Sequence, residues 1–251
     1  MKIKAEFLEN GFLEIGKEKD LFTIAEIGLN HNNDINLAKK MIDAAKVAGC
    51  SSVKFQNFKT DDVYVGGGKA GKYSLLGKEI EIYDLHKSLE MNYEMISELN
   101  DYATEKNIIF FSSPIGIEPL NNLDEAGVNL YKISSYEISN TPFLSEVASR
   151  NKPIIMSTGG ATLSEVELAL NTIYKHHTEV SLMHCLIKYP AEFEDANLRI
   201  MNTLKQAFGV PVGFSNNGFR DKNGEIDYEE IPSAVSQLGA DLYEIHITLN
   251  R

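Results

Sequence analysis

Basic and hydroxyl side chains lie where short apolar runs of this sequence end. Lys54 lies in the run 51–56, and Lys132 lies in the run 129–137. Two ammonium groups, helped by neutral hydroxyl donors, could bind a small anion. One such lysine is more simply a solvated side chain or half of an ion pair, but two of them with serines on other runs favour an anion site. These serines are Ser113, Ser135 and Ser157.

A carboxylate accompanies these cations. Glu137 follows Lys132 by five residues and could transfer a proton beside a bound anion, or it could pair with Lys132 for structural reasons. Lys132 could instead be the Schiff-base nucleophile of an aldolase, which requires a lowered pKa. A nearby Glu137 would favour the charged ammonium and so opposes that alternative.

Eight apolar runs with polar ends alternate with helical patterns along the chain. This alternation predicts a (β/α)₈ barrel, in which the carboxyl ends of the strands converge on one face that carries the chemistry. The polar residues at the ends of the runs are therefore expected to meet. The runs are 22–31, 51–56, 108–114, 129–137, 153–156, 180–183, 210–214 and 240–246.

Two domain units are predicted. Residues 1–20 form a hairpin appendage with a turn at Asn10 and Gly11, which could close the N-terminal end of the barrel. Residues 21–251 form the barrel. No helical pattern follows the eighth run, so we expect either that the sequence is a piece of a longer protein or that a partner chain covers the flank of the eighth strand.

The insertion 57–90 contains the glycine-rich stretch 66–71. This stretch lacks the spacing of a phosphate-binding P-loop and precedes no clear helix, so we expect a flexible lid over the mouth of the barrel.

Composition excludes several classes of protein. The net charge of −12 argues against nucleic-acid binding, although a few lysines in a cleft can still attract a small anion. No run approaches the length of a membrane span, and no signal peptide is evident. Cys50 and Cys185 make no disulfide framework or zinc site, so we expect them to be reduced, in a cytoplasmic protein.

The motifs, taken in order, resemble the sialic acid synthase family, which includes the N-acetylneuraminate, legionaminate, pseudaminate and spore-coat polysaccharide synthases. The resemblance implies a (β/α)₈ barrel followed by a small antifreeze-like domain, which is absent from this chain. It also implies a homodimer that condenses phosphoenolpyruvate with an N-acetylated hexose, using a divalent metal. The motifs that carry it are 25–31, 54–56, 111–114, 132–137, 157–159, 184–185, 189–190, 194–195 and 244–246.

The resemblance also assigns roles to individual residues. It makes Glu137, Glu26 and Lys132 catalytic, with Glu26 near the sugar aldehyde and the metal. It gives Lys54, Ser113, Ser135 and Ser157 to phosphoenolpyruvate. Tyr189 would line the sugar pocket, or it could be a packing residue before Pro190.

The expected metal ligands depart from the pattern of the family. His246 matches one of the two usual histidines, but Asn217 replaces the other. An amide oxygen is a harder and weaker ligand than imidazole, so we expect Mn²⁺ or Mg²⁺ to bind with lower affinity. Ile187 also replaces a polar residue that contacts the anion. These departures leave a second hypothesis open, in which the barrel has lost turnover and serves as a binding or regulatory subunit.

Overall fold

Eight parallel strands close into a barrel in the computed structural model, which describes residues 1–64, 71–75, 78–188, 191–220 and 229–250. The strands follow one another around the barrel in chain order, so the predicted (β/α)₈ fold is confirmed. They are β3 (Phe22–Gly28), β4 (Ser52–Phe58), β7 (Ile109–Ile115), β8 (Tyr131–Ile133), β9 (Ile154–Ser157), β10 (Val180–Cys185), β12 (Val212–Asn216) and β14 (Leu242–His246).

Helices connect these strands. Their bounds are α1 (Ile35–Val47), α2 (Thr60–Val63), α3 (Ile82–Leu89), α4 (Tyr93–Glu105), α5 (Ile117–Glu125), α6 (Thr141–Ser149), α7 (Leu163–Ile173), α8 (Ile200–Phe208) and α9 (Glu230–Gln237). After β14 the described residues continue to Asn250 without a further helix. No described helix is long and apolar enough to cross a membrane.

Helix α1 shows how local sequence sets these bounds. The Asp34 side chain accepts hydrogen bonds from the backbone of Asn36 and Leu37, as an N-cap does, and Gly49 follows the helix with φ at +81°. Met41 and Ile42 are buried against the barrel. An aspartate before the apolar pattern and a glycine after it are sequence signals for these two helix ends.

The register of the parallel strands brings the polar ends of the runs to one face. Glu26 pairs with Lys54 across β3 and β4, and His246 pairs with Glu26 across β14 and β3. Side chains of paired residues in parallel strands point to the same side of the sheet. Polar residues that are far apart in sequence therefore meet inside the carboxyl end of the barrel.

The N-terminal segment forms the predicted hairpin at the opposite end of the barrel. Strands β1 (Lys2–Lys4) and β2 (Phe12–Glu14) pair antiparallel, with Ile3 opposite Leu13. The turn differs from the prediction, because the chain between the strands is held by its own backbone hydrogen bonds as a longer loop from residue 5 to residue 11. The backbone of Lys2 bonds to Glu179, which directly precedes β10, so the hairpin contacts the N-terminal end of the barrel.

The insertion after β4 contains α2, α3 and a small antiparallel hairpin of β5 (Lys72–Leu75) and β6 (Lys78–Glu81). Residues 65–70, which hold most of the glycine-rich stretch, lie outside the described residues. Two further short strands, β11 (Ala191–Glu192) and β13 (Phe219–Arg220), pair parallel to one another near the mouth of the barrel.

Candidate active site

A cavity of about 680 Å³ opens at the carboxyl ends of the barrel strands. Its described walls include side chains from β3, β4, β8, β9, β10, β12 and β14 and from the loops that follow them. The polar residues among them are Glu26, Lys54, Gln56, Lys132, Ser134, Ser135, Tyr136, Ser157, Ser215, Asn217, Glu244 and His246. Five of the eight residues expected at the site from the sequence besides the metal ligands line this cavity, namely Glu26, Lys54, Lys132, Ser135 and Ser157.

Two buried lysines and two buried carboxylates form the floor of this cavity. Lys54 Nζ lies 2.7 Å from Glu26 Oε2 and 3.7 Å from Glu244 Oε1. Lys132 Nζ lies 3.3 Å from Glu244 Oε2. Because buried charges are strongly destabilising unless they are paired, the four side chains depend on one another. The predicted pair of lysines therefore does meet, and a glutamate links them.

Glu244 stays ionised at neutral pH in this environment. Its burial alone raises the pKa of the carboxyl, but the adjacent Lys132 and Lys54 favour the charged form and hold the pKa well below its ordinary value. Ser215 also donates a hydrogen bond of 3.0 Å to Glu244 Oε1. Lys132 is therefore paired with Glu244, and the alternative pairing with Glu137 is not the one observed.

Glu26 is oriented from both sides. Gln56 Nε2 donates a hydrogen bond of 2.9 Å to Glu26 Oε1, while Lys54 lies at Oε2. Gly28 follows on the same strand with φ at +56°, and a Cβ there would lie 3.2 Å from Glu26 Oε1. The register of β3 shifts between Glu26 and Gly28, so the irregular strand end makes room for this carboxylate.

Hydroxyl groups occupy the wall opposite β3. Ser157 ends β9 and lines the cavity, and Ser135 lines it from the turn after β8. Ser135 Oγ accepts a hydrogen bond of 3.0 Å from the backbone N–H of Gly159 and lies 3.1 Å from Cys185 Sγ. Cys185 is a free cysteine, and in this structure it belongs to the cavity wall.

A family model for the NeuB family matches residues 41–251. The chain belongs to the NeuB family. It is 39% identical over 239 residues to the N,N'-diacetyllegionaminic acid synthase of Campylobacter jejuni, covering 93% of this chain and 69% of that protein. It is 38% identical to the spore coat polysaccharide biosynthesis protein SpsE of Bacillus subtilis, covering 94% of this chain and 62% of that protein. The resemblance to this family is confirmed, and the chain spans about two thirds of the length of these relatives.

The fold agrees with that of a solved sialic acid synthetase. The crystal structure of the N-acetylneuraminic acid synthetase of Leptospira borgpetersenii, in complex with citrate, aligns with a TM-score of 0.84 and 32% identity. The alignment covers 99% of this chain and 80% of that one. The relatives named here are sugar acid synthases, or, for SpsE, a protein of polysaccharide biosynthesis, so this NeuB chain carries the barrel of a family of sugar-processing enzymes.

Three residues predicted at the site of this NeuB chain are not among the described residues that line the cavity. Glu137 lies in the turn after β8, outside the described lining, and its Oε2 accepts a hydrogen bond of 2.8 Å from Asn140. Ser113 is buried on β7, and its hydroxyl has no hydrogen-bond partner among the described residues. Tyr189 lies outside the described residues. Their roles stay predictions.

The expected metal ligands both line the cavity. His246 ends β14, and Asn217 follows β12 with its Nδ2 donating a hydrogen bond of 2.7 Å to the carbonyl of Leu186. This bond uses the amide nitrogen, so the side-chain oxygen of Asn217 is the atom that could bind a metal ion, and it is a hard ligand. Among the described residues, no three histidine, cysteine or carboxylate side chains cluster in a way that could hold a metal ion. An imidazole and an amide oxygen fit a divalent ion that keeps several of its waters.

His31 and His184 are buried and do not line the cavity. His31 is fully buried beside Phe55, and its Nδ1 accepts a hydrogen bond of 3.0 Å from the backbone of Asn33. Burial lowers the pKa of His31 to about 4, so the imidazole is neutral at neutral pH. His184 is buried on β10, with Nε2 2.9 Å from the carbonyl of Ala196.

Sequence reasoning gives no role to five polar residues of the cavity wall. They are Gln56, Ser134, Tyr136, Ser215 and Glu244. A signal for Glu244 and Gln56 was present, because alternate residues of a strand share a face. Glu244 lies two residues before His246 and Gln56 two residues after Lys54, so each should point into the same cavity as its predicted neighbour.

A second cleft, of about 730 Å³, lies at the N-terminal end of the barrel. Its lining includes Lys205 and Asp241, whose Nζ and Oδ2 atoms pair at 2.8 Å. Chemistry in barrels of this type is carried by the carboxyl ends of the strands, whereas the opposite end contributes to stability. We therefore assign the candidate active site to the cavity that contains Lys54 and Lys132.

Proposed function

We propose that this chain is the catalytic barrel of a synthase that condenses phosphoenolpyruvate with an N-acetylated hexose. The products would be a nine-carbon 2-keto sugar acid and phosphate. The observation that carries the proposal is the convergence of two buried ammonium groups, Lys54 and Lys132, with serine hydroxyls in one cavity. Membership of the NeuB family supports the same reaction type.

The two lysines and the hydroxyls would bind the anionic substrate. Phosphoenolpyruvate carries a phosphate and a carboxylate, and charge-assisted hydrogen bonds from ammonium groups to such oxygens are roughly twice as strong as neutral ones. Ser135 and Ser157 can donate to the same oxygens without adding charge. These contacts would fix the orientation of the enol carbon before reaction.

The sugar would lie nearer the mouth, beside Glu26, Asn217 and His246. A divalent ion held by His246 and Asn217 would polarise the aldehyde of the sugar. Glu26, which Lys54 and Gln56 hold in place, can bind a sugar hydroxyl or a water at that end of the cavity. A homodimer and dependence on Mn²⁺ or Mg²⁺ are part of the proposal.

The proposed reaction forms one carbon–carbon bond and releases phosphate. C3 of phosphoenolpyruvate bonds to the aldehyde carbon, and the aldehyde oxygen takes up a proton. Water adds its oxygen to C2, and phosphate leaves with the electron pair of its bond to C2, which gives the ketone. Of the two protons that the water loses, one balances the proton taken up by the aldehyde oxygen and the other leaves on the phosphate. Glu26 on the cavity wall and Glu137 in the turn after β8 are the proposed carriers of these protons.

The test is phosphate release from phosphoenolpyruvate with a panel of N-acetylated hexoses and Mn²⁺. Release that requires the sugar supports the proposal, and absence of release with every sugar, also from Asn217→His, contradicts it. The Asn217→His variant restores the imidazole that the resemblance predicts at this position. Release by the variant alone would identify Asn217 as the residue that limits turnover.

A second candidate function is a binding or regulatory subunit without turnover. The observation that favours it is Asn217, whose amide is tied to the backbone of Leu186 and offers a weaker ligand than a histidine. This hypothesis predicts Mn²⁺ binding no tighter than millimolar, as measured by calorimetry. Micromolar binding by the unchanged chain would contradict it.

The Schiff-base alternative is opposed by the pairing of Lys132. Its Nζ lies 3.3 Å from the carboxylate of Glu244, so the atom that would have to attack a carbonyl is engaged in a buried ion pair. Borohydride treatment in the presence of pyruvate should therefore leave the mass of the protein unchanged. A trapped adduct on Lys132 would revive this alternative.

A further inference from the structure

Glu244 contacts side chains of two strands, β4 and β8, that do not pair with its own strand in the sheet. It lies on β14, whereas Lys54 lies on β4 and Lys132 on β8. In the barrel, β3 separates β14 from β4, and β7 separates β4 from β8. The two oxygens of Glu244 nevertheless face one lysine each, at 3.7 Å for Lys54 and 3.3 Å for Lys132. The carboxylate therefore bridges the two cations across the interior of the barrel.

The two lysines depend on this bridge to different degrees. Lys54 has a closer partner, because its Nζ lies 2.7 Å from Glu26 Oε2. In the part of the chain that the structure describes, the ion-pair partner of Lys132 is Glu244. Lys132 is only 4% exposed, so water compensates little for the loss of that partner.

The bridge itself is held in place. Ser215 Oγ donates a hydrogen bond of 3.0 Å to Glu244 Oε1, and Ser215 pairs with Glu244 in the register of β12 and β14. Glu244 is also only 4% exposed. A carboxylate fixed by a neighbouring strand and by burial can set the positions of flexible lysine side chains that contact it.

We propose that Glu244 is the positioning residue of the anion site: it holds the ammonium groups of Lys54 and Lys132 at the spacing that phosphoenolpyruvate requires. It acts through the lysines and does not itself touch the substrate. This inference rests on the proposed function, since it presupposes that the lysines bind phosphoenolpyruvate.

A positioning role and a merely neutralising role predict opposite effects of removing the charge. A carboxylate next to an anion site repels the anion, so if Glu244 only neutralised the lysines, its replacement by glutamine would tighten binding. If Glu244 positions the lysines, the same substitution releases Lys132, and the lysines repel each other out of place. Binding of phosphoenolpyruvate would then weaken although the site has become more positive.

The experiment compares Glu244→Gln and Glu244→Asp with the unchanged chain. Calorimetry with phosphoenolpyruvate and Mn²⁺, without sugar, should show Kd raised about tenfold or more in Glu244→Gln. In turnover, KM for phosphoenolpyruvate should rise by a similar factor while kcat changes much less. Glu244→Asp keeps the charge but is one methylene shorter, so it should weaken binding less than glutamine does.

A matched control is Glu98→Gln. Glu98 pairs with Lys39 at 2.6 Å on the outside of the barrel, and its loss should leave Kd and KM unchanged. Equal or tighter binding of phosphoenolpyruvate by Glu244→Gln would overturn the proposal. If circular dichroism shows that this variant does not fold, Glu244→Asp decides instead, and equal or tighter binding by that variant overturns it.

The proposed condensation and the positioning role of Glu244 can be contradicted by different results. Binding of phosphoenolpyruvate that depends on Glu244, without phosphate release with any sugar, would end the proposed condensation but leave the positioning role. Phosphate release with an unchanged KM in Glu244→Gln would end only the positioning role. A chain that binds no phosphoenolpyruvate would end both.

Discussion

The backbone N–H of Gly159 donates a hydrogen bond of 3.0 Å to the hydroxyl of Ser135. The approach is so close that a Cβ on Gly159 would lie 2.9 Å from Ser135 Oγ and 2.8 Å from Cys185 Sγ. Real Cβ atoms do not come this near to other atoms, so residue 159 has no space for a side chain. The wall of the cavity between β8 and β10 thus depends on a glycine.

Gly159→Ala is therefore expected to displace Ser135 and Cys185. Overpacking of this kind costs about 1–3 kcal/mol in the free energy of unfolding, which urea denaturation measures. KM for phosphoenolpyruvate should rise as well, because Ser135 moves. Ser135→Ala is the comparison, since it removes the hydroxyl without adding volume. Wild-type stability and KM in Gly159→Ala would contradict the described contact.

Lys132→Met should weaken binding of phosphoenolpyruvate directly. It removes one charge-assisted contact to the substrate and leaves the carboxylate of Glu244 facing the site, so we expect Kd to rise roughly ten- to hundredfold. Calorimetry provides the measurement. Lys39→Met, at an exterior ion pair, is the control and should bind normally. Unchanged binding by Lys132→Met would show that the anion lies elsewhere.

Ile187→Asn should improve the anion site. Ile187 lines the cavity and is 72% exposed, so a polar side chain there removes no buried packing. An amide would add a hydrogen-bond donor near the substrate, and KM for phosphoenolpyruvate should fall several-fold, by about 1 kcal/mol of binding. Leu168→Asn makes the same change at an exposed residue of α7 and should have no effect. A raised KM in Ile187→Asn would contradict this prediction.

Burial of His31 predicts a loss of stability in acid. The pKa of His31 is lowered to about 4 in the folded chain and is about 6.5 in the unfolded chain, so the unfolded state binds the proton more readily. The stabilisation from the neutral imidazole is complete above pH 6.5 and is lost as pH falls towards 4, by at most about 3 kcal/mol.

The measurement is urea denaturation of the unchanged chain and of His31→Gln between pH 7 and pH 4. The difference in the free energy of unfolding between the two proteins should shrink as pH falls, because glutamine does not titrate. A difference that stays constant across this range would show that His31 is not buried in its neutral form.

The sequence alone was sufficient for the architecture and for much of the site. Apolar runs that alternate with helical patterns predict eight strands and the helices between them. In the parallel barrel that such strands form, all carboxyl ends lie on one face. Lys54, Lys132, Ser135, Ser157 and Glu26 were predicted on this basis, and each lies at the cavity. Local signals such as the cap at Asp34 were also sufficient, because they depend on interactions within one turn of helix.

Only the tertiary structure decided which charges meet. Glu137 is close to Lys132 in sequence, yet the partner of Lys132 is Glu244, more than a hundred residues away. The strand ends at Ile133, so the chain turns and Glu137 bonds to Asn140 instead. The distance between two side chains across a closed barrel depends on strand register and closure, which involve the whole chain, and no local pattern of residues contains that information.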